Sequence, residues 1–413
     1  MTKAMIITVG TGKDRKDIAS AICKSIDSHN PDEIIFICSE KSKTETMPHI
    51  QCDERLRNKK FSCELTSDKD DLEKIKMESS EIIKKMVKVY GKGGIIVDYT
   101  SGTKAMSAGL ILAAIENEIA CISYISGKRN SEGRVISGGE RIISFSPNEI
   151  YANKLFFEAI NSFNRYQYNL SIDLLKRAVE LFQDQKFIEK TNILSRISNA
   201  YFLWDRFLLE KTLDVLKGLP DSSLCSEWGI KNKIRRHKEI VYKEVENKFC
   251  EERIADLFLN AKRRHEEGKY DDAVARLYRL LEYVAQFRIA SKGFYQVKEE
   301  NKEPDTSKLA LNKIPGNLRG KYTETIGLEK SYELLNDLKD PIGIKIFSEL
   351  RRKDSALKSI LVIRNNSILA HGFSPVKEER SEKLFDIIKQ NLVEIFSGFD
   401  SLLKDADFPH IKI

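Results

Sequence analysis

Up to about residue 148, short β-branched runs alternate with stretches whose apolar residues recur every three or four positions, the sign of a mostly parallel sheet covered by helices. The strand-like runs are AMIITVG (4–10), DEIIFICS (32–39), a weaker KKFSCELT (59–66), GGIIVDYT (93–100) and ACISYISG (120–127). Between them RKDIASAICKSI, DLEKIKMESSEIIKKMVKVY and KAMSAGLILAAIENE carry helical spacing. A hairpin is expected at the end, where SGKRNSEGRV turns into GGERIISFS. Beyond Pro147 glycine becomes scarce and helical spacing continues to the C-terminus.

The pattern therefore predicts an α/β Rossmann-like domain over residues 1–148, a helical linker over 149–250 and an all-α domain over 251–413. Within the helical half, LFFEAINSFNRYQYNLSIDLLKRAVELF and LFLNAKRRHEEGKYDDAVARLYRLLEYVAQF each read as a helical hairpin with a short turn. The polar, Pro- and Gly-bearing stretch 301–325 reads as a surface loop.

Composition narrows the class. A chain of 413 residues, 41 % hydrophobic, can bury a core in each of two or three domains. Its 69 basic and 62 acidic residues leave +7, interleaved along most of the chain, which permits contact with a polyanion without demanding it. The seven cysteines form no CxxC pair and have no histidine at zinc spacing, so reduced thiols are expected and neither a disulfide framework nor a structural metal. No apolar run approaches the ~18 residues of a membrane span, and the N-terminus enters a strand without a cleavable leader. Both features lead to the expectation of a cytoplasmic protein.

Two glycine-bearing turns follow strands directly, TVGTGK (8–13) and DYTSGTKAM (98–106). In a parallel sheet they lie at the carboxyl ends of strands, where helix N-termini offer free backbone N–H groups. Gly10, Gly12 and Gly102 permit close backbone approach, Thr11, Thr100, Ser101 and Thr103 bring hydroxyls, and Lys13 and Lys104 bring charge. Neither turn is a GxGxxG fingerprint or a Walker P-loop. From spacing alone, sharp capped turns and a phosphate or nucleotide cup fit equally well.

Near the C-terminus, LVIRNNSILAHGF (361–373) sets an arginine and a histidine in an apolar helical pattern. Asp354 or Ser355 can cap its start, and Gly372 with Pro375 is a stop signal, so the helix should run from about 355 to 371. Leu357, Leu361, Arg364, Ile368 and His371 then share one stripe. Seven residues of rise would set the Cα atoms of Arg364 and His371 about 10 Å apart. Imidazole can exchange a proton near neutrality and guanidinium can hold a phosphate, while a terminal histidine on carbonyls and a snorkelling arginine account for the same residues without chemistry. Asn365, Asn366 and Ser367 add donors and acceptors. His265 and Arg263 read as a solvated helical surface, Asp70 and Asp71 as a helix start, and Glu282 as a surface carboxylate or a support for Arg364.

The pairing of DYTSGTKAMSAGL in an α/β domain with Arg-x6-His on a late helix resembles the CARF/HEPN ancillary proteins of type III CRISPR systems, the Csm-type and Csx-type effector ribonucleases. ARLYRLLEYVAQ (275–286) and SILAHG (367–372) also look like the helical half of that family. The resemblance implies a CARF sensor that binds cyclic oligoadenylate across a homodimer through the two turns, Met106 included. It further implies a HEPN nuclease that cuts single-stranded RNA with Arg364, His371 and Asn365, without metal or other cofactor. Competing readings are a sensor whose helical half binds a partner, a CARF pocket that degrades its own ligand with Thr11, Thr103 and Lys104, and a DNA-binding protein. The last is weakest, since no helix-turn-helix with a basic recognition helix is visible.

Overall fold

The structure, a computed structural model, describes residues 2–412 apart from 13–14, 128–139, 220–221, 301–302, 354 and 370. The chain divides into two compact units, residues 1–155 with 177–183, and residues 156–176 with 184–413.

The first unit holds β1 (Ala4–Val9), β2 (Glu33–Cys38), β3 (Lys60–Leu65), β4 (Ile95–Asp98), β5 (Cys121–Ser126) and β6 (Arg141–Phe145) in the order β3-β2-β1-β4-β5-β6. β1 to β5 are parallel and β6 returns antiparallel to β5. The expected strands thus form within two residues of the predicted runs, and the turn of the expected hairpin, 128–139, lies outside the described residues. Because side chains alternate across a strand, Met5, Ile7 and Val9 pack on one face with Ile22 and Cys23, while Ile6 packs on the other with Ile75 and Leu110. The helices supplying those faces are α1 (Arg15–His29), α2 (Glu40–Glu45), α3 (Met47–Gln51), α4 (Leu72–Tyr90) and α5 (Lys104–Glu116). Asp71 caps α4 by accepting from the Lys74 N–H at 3.1 Å, the helix start read from the sequence.

From Asn148 the chain is helical: α6 (Asn148–Asn164), α7 (Tyr168–Leu181), α8 (Gln185–Trp204), α9 (Leu209–Leu216), α10 (Ser223–Glu227), α11 (Lys231–Glu246) and α12 (Glu251–Glu266). These are followed by α13 (Tyr270–Ser291), α14 (Leu328–Asp337), α15 (Pro341–Arg351), α16 (Ala356–Asn366), α17 (Glu378–Ile395) and α18 (Phe399–Ala406). The second expected hairpin is α12–α13, turning at Gly268 with φ +74°, and the first falls on α6 and α7 as consecutive helices. The polar 301–325 stretch is not all loop: Pro304–Leu309 forms β8, paired antiparallel with β7 (Tyr295–Val297). Its largely exposed residues carry no apolar alternation, so backbone pairing alone makes it a strand.

Arg263 corrects the surface reading of KRRHEE, for it is 1 % exposed. Its Nε donates to Asp205 at 2.8 Å, Asp256 lies 3.6 Å from its Nη2, and its guanidinium stacks 3.8 Å above the Phe408 ring. Trp204 donates its indole N–H to Asp256 at 2.8 Å. A charge so deeply placed needs these partners, since removing one carboxylate from such a pair costs about 3–5 kcal/mol. His265 is also partly covered, with Nδ1 at 2.9 Å from the Ser381 hydroxyl.

His237 is sealed beside this network, 2.8 Å from the Tyr201 hydroxyl, and burial drives its pKa down to about 3. The unfolded chain takes up that proton near pH 6.5, so the stability contributed by neutral His237 is complete above 6.5 and drains as pH falls toward 3. Burial lifts the Asp256 carboxyl, which tilts the balance the other way. We therefore predict that His237→Phe, compared with the parent protein in urea titrations at pH 7, 6 and 5, removes a slope of about 0.7 kcal/mol between pH 7 and 6 that steepens to about 1.2 kcal/mol between pH 6 and 5; equal slopes would count against it.

Candidate functional site

In the first unit the chain lays β2 and β3 on one side of β1 and then crosses back to lay β4 and β5 on the other, so β1 and β4 flank the switch point of the sheet. Both glycine turns leave the sheet there. The Gly10 N–H donates to Ser101 Oγ at 2.8 Å, and the Thr8 hydroxyl donates to the Ser101 carbonyl. A side chain on Gly10 would come within 2.7 Å of the Gly102 nitrogen, and Gly102 itself has φ +111°, with the Met106 and Thr8 side chains 3.1 and 3.2 Å from where its Cβ would stand. Gly10 has no room for a side chain because the Gly102 backbone lies against it, and Gly102 adopts a φ that side-chain-bearing residues rarely take.

The hydroxyls mostly build the cup. Thr103 caps α5 by accepting from the Met106 N–H at 3.1 Å and donates to the Lys69 carbonyl at 2.6 Å. Thr100 Oγ1 accepts from the Ile125 N–H at 2.9 Å, while its own N–H donates to buried Asp98 at 2.8 Å. Thr11, half-buried, and Lys104, exposed, have no side-chain partner among the described residues. The first N–H groups of α5 lie beside them, outside the helical bonding pattern. Lys13 lies outside the described residues. Met106 departs from the ligand-contact expectation: its side chain is 1 % exposed and belongs to the core under the turn, because the N3 position of α5 faces the sheet.

In the second unit α16 packs on α13 and α17. Ser355 caps it, accepting from the Leu357 N–H at 3.2 Å and donating to Glu349 at 3.0 Å. The helix stops at Asn366, not near 371. Asn365, Asn366 and Ser367 compete for backbone groups, and here Ser367 wins: its hydroxyl donates to the Arg364 carbonyl at 2.8 Å and its backbone turns extended. His371 therefore does not share a helical stripe with Arg364. The chain folds back instead, and the N–H groups of His371, Gly372 and Ser374 donate to the carbonyls of Asn365, Ser367 and Asn366 at 3.1, 3.2 and 2.9 Å.

The helix end thus returns the main chain of His371 to Asn365, the neighbour of Arg364, where helical rise would have set the two on one stripe. The Arg364 guanidinium lies 5.0 Å from the Tyr278 ring centre and donates to Asn365 Oδ1 at 3.0 Å. Asn365 accordingly touches both, through its side chain and its carbonyl. Tyr278 hydrogen-bonds Glu282, and burial with that carboxylate raises the phenol pKa. Glu282 supports Arg364 at one remove, a role the sequence left open. Around them Val362, Ile368, Leu369 and Phe373 are exposed, Phe373 by 91 %. Leu357 is buried, but the far end of the expected stripe faces outward.

No group of three or more metal-ligating side chains occurs among the described residues, and no described helix is long and apolar enough to cross a membrane. Residues 242–394, which include Arg364 and His371, match the sequence model of the Csm6 HEPN domain. No curated protein matches the sequence. The fold is similar to that of Enterococcus italicus Csm6, solved bound to cyclic hexa-2′-fluoro-hexa-dAMP, with a TM-score of 0.61 over 98 % of both chains at 13 % identity.

At Gly372 an added Cβ would fall 2.2 Å from the Asn366 carbonyl oxygen, so the fold-back admits no side chain there. Gly372→Ala should cost about 1–3 kcal/mol locally. Hydrogen exchange of the 371–374 amides should then speed up about tenfold or more with the rest unchanged; unchanged protection would show that the return does not depend on glycine.

Proposed function

We propose that this chain, which has the CARF/HEPN architecture of the type III CRISPR effectors, is an endoribonuclease switched on by a cyclic oligoadenylate. The observation that supports the nuclease half is the return of the His371 main chain to Asn365, next to Arg364, inside the region that matches the Csm6 HEPN domain. For the sensor half it is the cup of two interlocked glycine turns at the switch point, in a fold shared with a Csm6 solved with a cyclic oligonucleotide.

The chemistry needs no metal. The ribose 2′-hydroxyl of single-stranded RNA attacks the adjacent phosphorus, the 5′-oxygen leaves, and a 2′,3′-cyclic phosphate and a 5′-hydroxyl result. His371 moves the proton, Arg364 balances charge building on the phosphoryl oxygens, and Asn365 orients both. Tyr278 holds the guanidinium in place. A second copy of the chain completes the site: Val362, Ile368, Leu369 and Phe373 form an apolar surface beside Arg364 that a homodimer would cover. A cyclic ligand with two-fold symmetry suits such a pair, with Thr11, Lys104 and the α5 amides facing it. Its binding energy must favour the cleaving arrangement by a few kcal/mol.

Cyclic tetra- or hexa-adenylate should accelerate RNA cleavage in the presence of EDTA. Arg364→Ala and His371→Ala should each lower it by about 10²–10³-fold or more, with ligand binding and the melting transition intact. Cleavage retained in either variant would move the chemistry elsewhere, and indifference to every ring size would remove the sensor.

A further inference from the structure

The second unit contains an open cavity of about 920 Å³ away from Arg364, at the upper end of the roughly 300–1,000 Å³ of small-ligand sites. One wall is a stripe of α13: Asp272, Arg276, Arg279, Tyr283 and Gln286, spaced as one helix face. The others come from α9, the end of α11, α12 and the β7–β8 hairpin, bringing Lys211, Phe249, Arg253 and Lys298.

Three of its cations have no ion-pair or hydrogen-bond partner for their side chains among the described residues: Lys211, Arg276 and Lys298. Arg276 is the telling one. It is partly covered, its Nε is buried without an acceptor, and burial lowers its pKa despite Asp272 nearby. A half-desolvated guanidinium with no acceptor for its buried Nε is costly unless one arrives. Arg253, by contrast, is bound to Glu244, and Lys248 to Glu303. Phe249 lies parallel to buried Tyr283, interplanar angle 2°, and the Tyr283 hydroxyl is fixed by donating to the Lys248 carbonyl at 2.7 Å. A flat ring held by a rigid neighbour, next to unpaired cations, suits nucleotides: phosphate on the cations, base on the ring.

A chain of side chains links the cavity to the candidate cleavage site. Arg279 reaches to 3.6 Å from Glu282, Glu282 bonds Tyr278, and Arg364 rests on Tyr278. Tyr278 and Arg276 lie about 200° apart around α13, so the two sites occupy opposite faces of one helix.

We propose that this cavity is a second contact for the substrate: it grips a few nucleotides of single-stranded RNA away from the bond that is cut. The proposal rests on the nuclease reading for its purpose, but its test reads binding alone. The probe is a ten-nucleotide fluorescein-labelled oligouridylate, titrated by anisotropy against the full chain carrying His371→Ala so that it survives. Adding Lys211→Gln, Arg276→Gln and Lys298→Gln should weaken binding about tenfold or more. It should also reduce the slope of log K against log salt by about 2, at ~0.7 per phosphate. Phe249→Ala should weaken binding about tenfold with the salt slope unchanged, as lost base stacking requires.

Unchanged affinity and slope in the triple variant would overturn the proposal, even if the parent protein cleaves RNA. Uridine monophosphate that fills the cavity without displacing the oligonucleotide would also overturn it, in favour of a free nucleotide. If the parent failed to cut RNA while the triple variant lost binding as expected, the cavity would stand and the nuclease reading would fall.

Discussion

A regular element that stops leaves backbone groups without partners, and both candidate sites are made from such groups. At the switch point two strands end near helix starts, and Thr103 satisfies one of the first α5 amides. At the end of α16 the last carbonyls are taken by the returning chain, which carries His371 back to Asn365. The chemistry lies in few side chains, and their positions follow from which backbone group each neighbour satisfies.

That dependence explains why the surrounding cores are rigid where they can be. In the second unit Arg263, Asp205, Asp256 and Trp204 form a buried polar cluster whose members are all needed once any is present. Such a cluster adds little net stability over hydrocarbon of the same volume. Its contribution is to admit one arrangement of α8, α12 and the C-terminal segment bearing Phe408.

The first unit was largely legible because glycine turns after β-branched runs have few alternative structures. The helix end at 366 was not. Gly372 and Pro375 are strong stop signals, and they masked the weaker Asn-Asn-Ser sequence that ends the helix earlier through a side-chain bond to its own last turn. Arg263 was misread because its neighbours Lys262 and Arg264 make the run look solvated, and a single buried member of a charge run carries no mark of its own. Met106 was grouped with the turn on sequence proximity, although the third residue of a helix can face the sheet. β8 was missed because a polar strand in a two-stranded hairpin has no hydrophobic face to announce it.

The interlocked glycines bear on how such a protein can diverge. Gly10 and Gly102 are separated by most of the first unit in the chain, yet Gly10 cannot acquire a side chain unless the Gly102 backbone retreats, and Gly102 is held by its φ of +111°. A side chain is therefore excluded at the first by an opposing main chain and disfavoured at the second by backbone conformation. Half-buried Thr11 and exposed Lys104 carry neither constraint, so sequence change at this end of the sheet has more freedom there than at the two glycines.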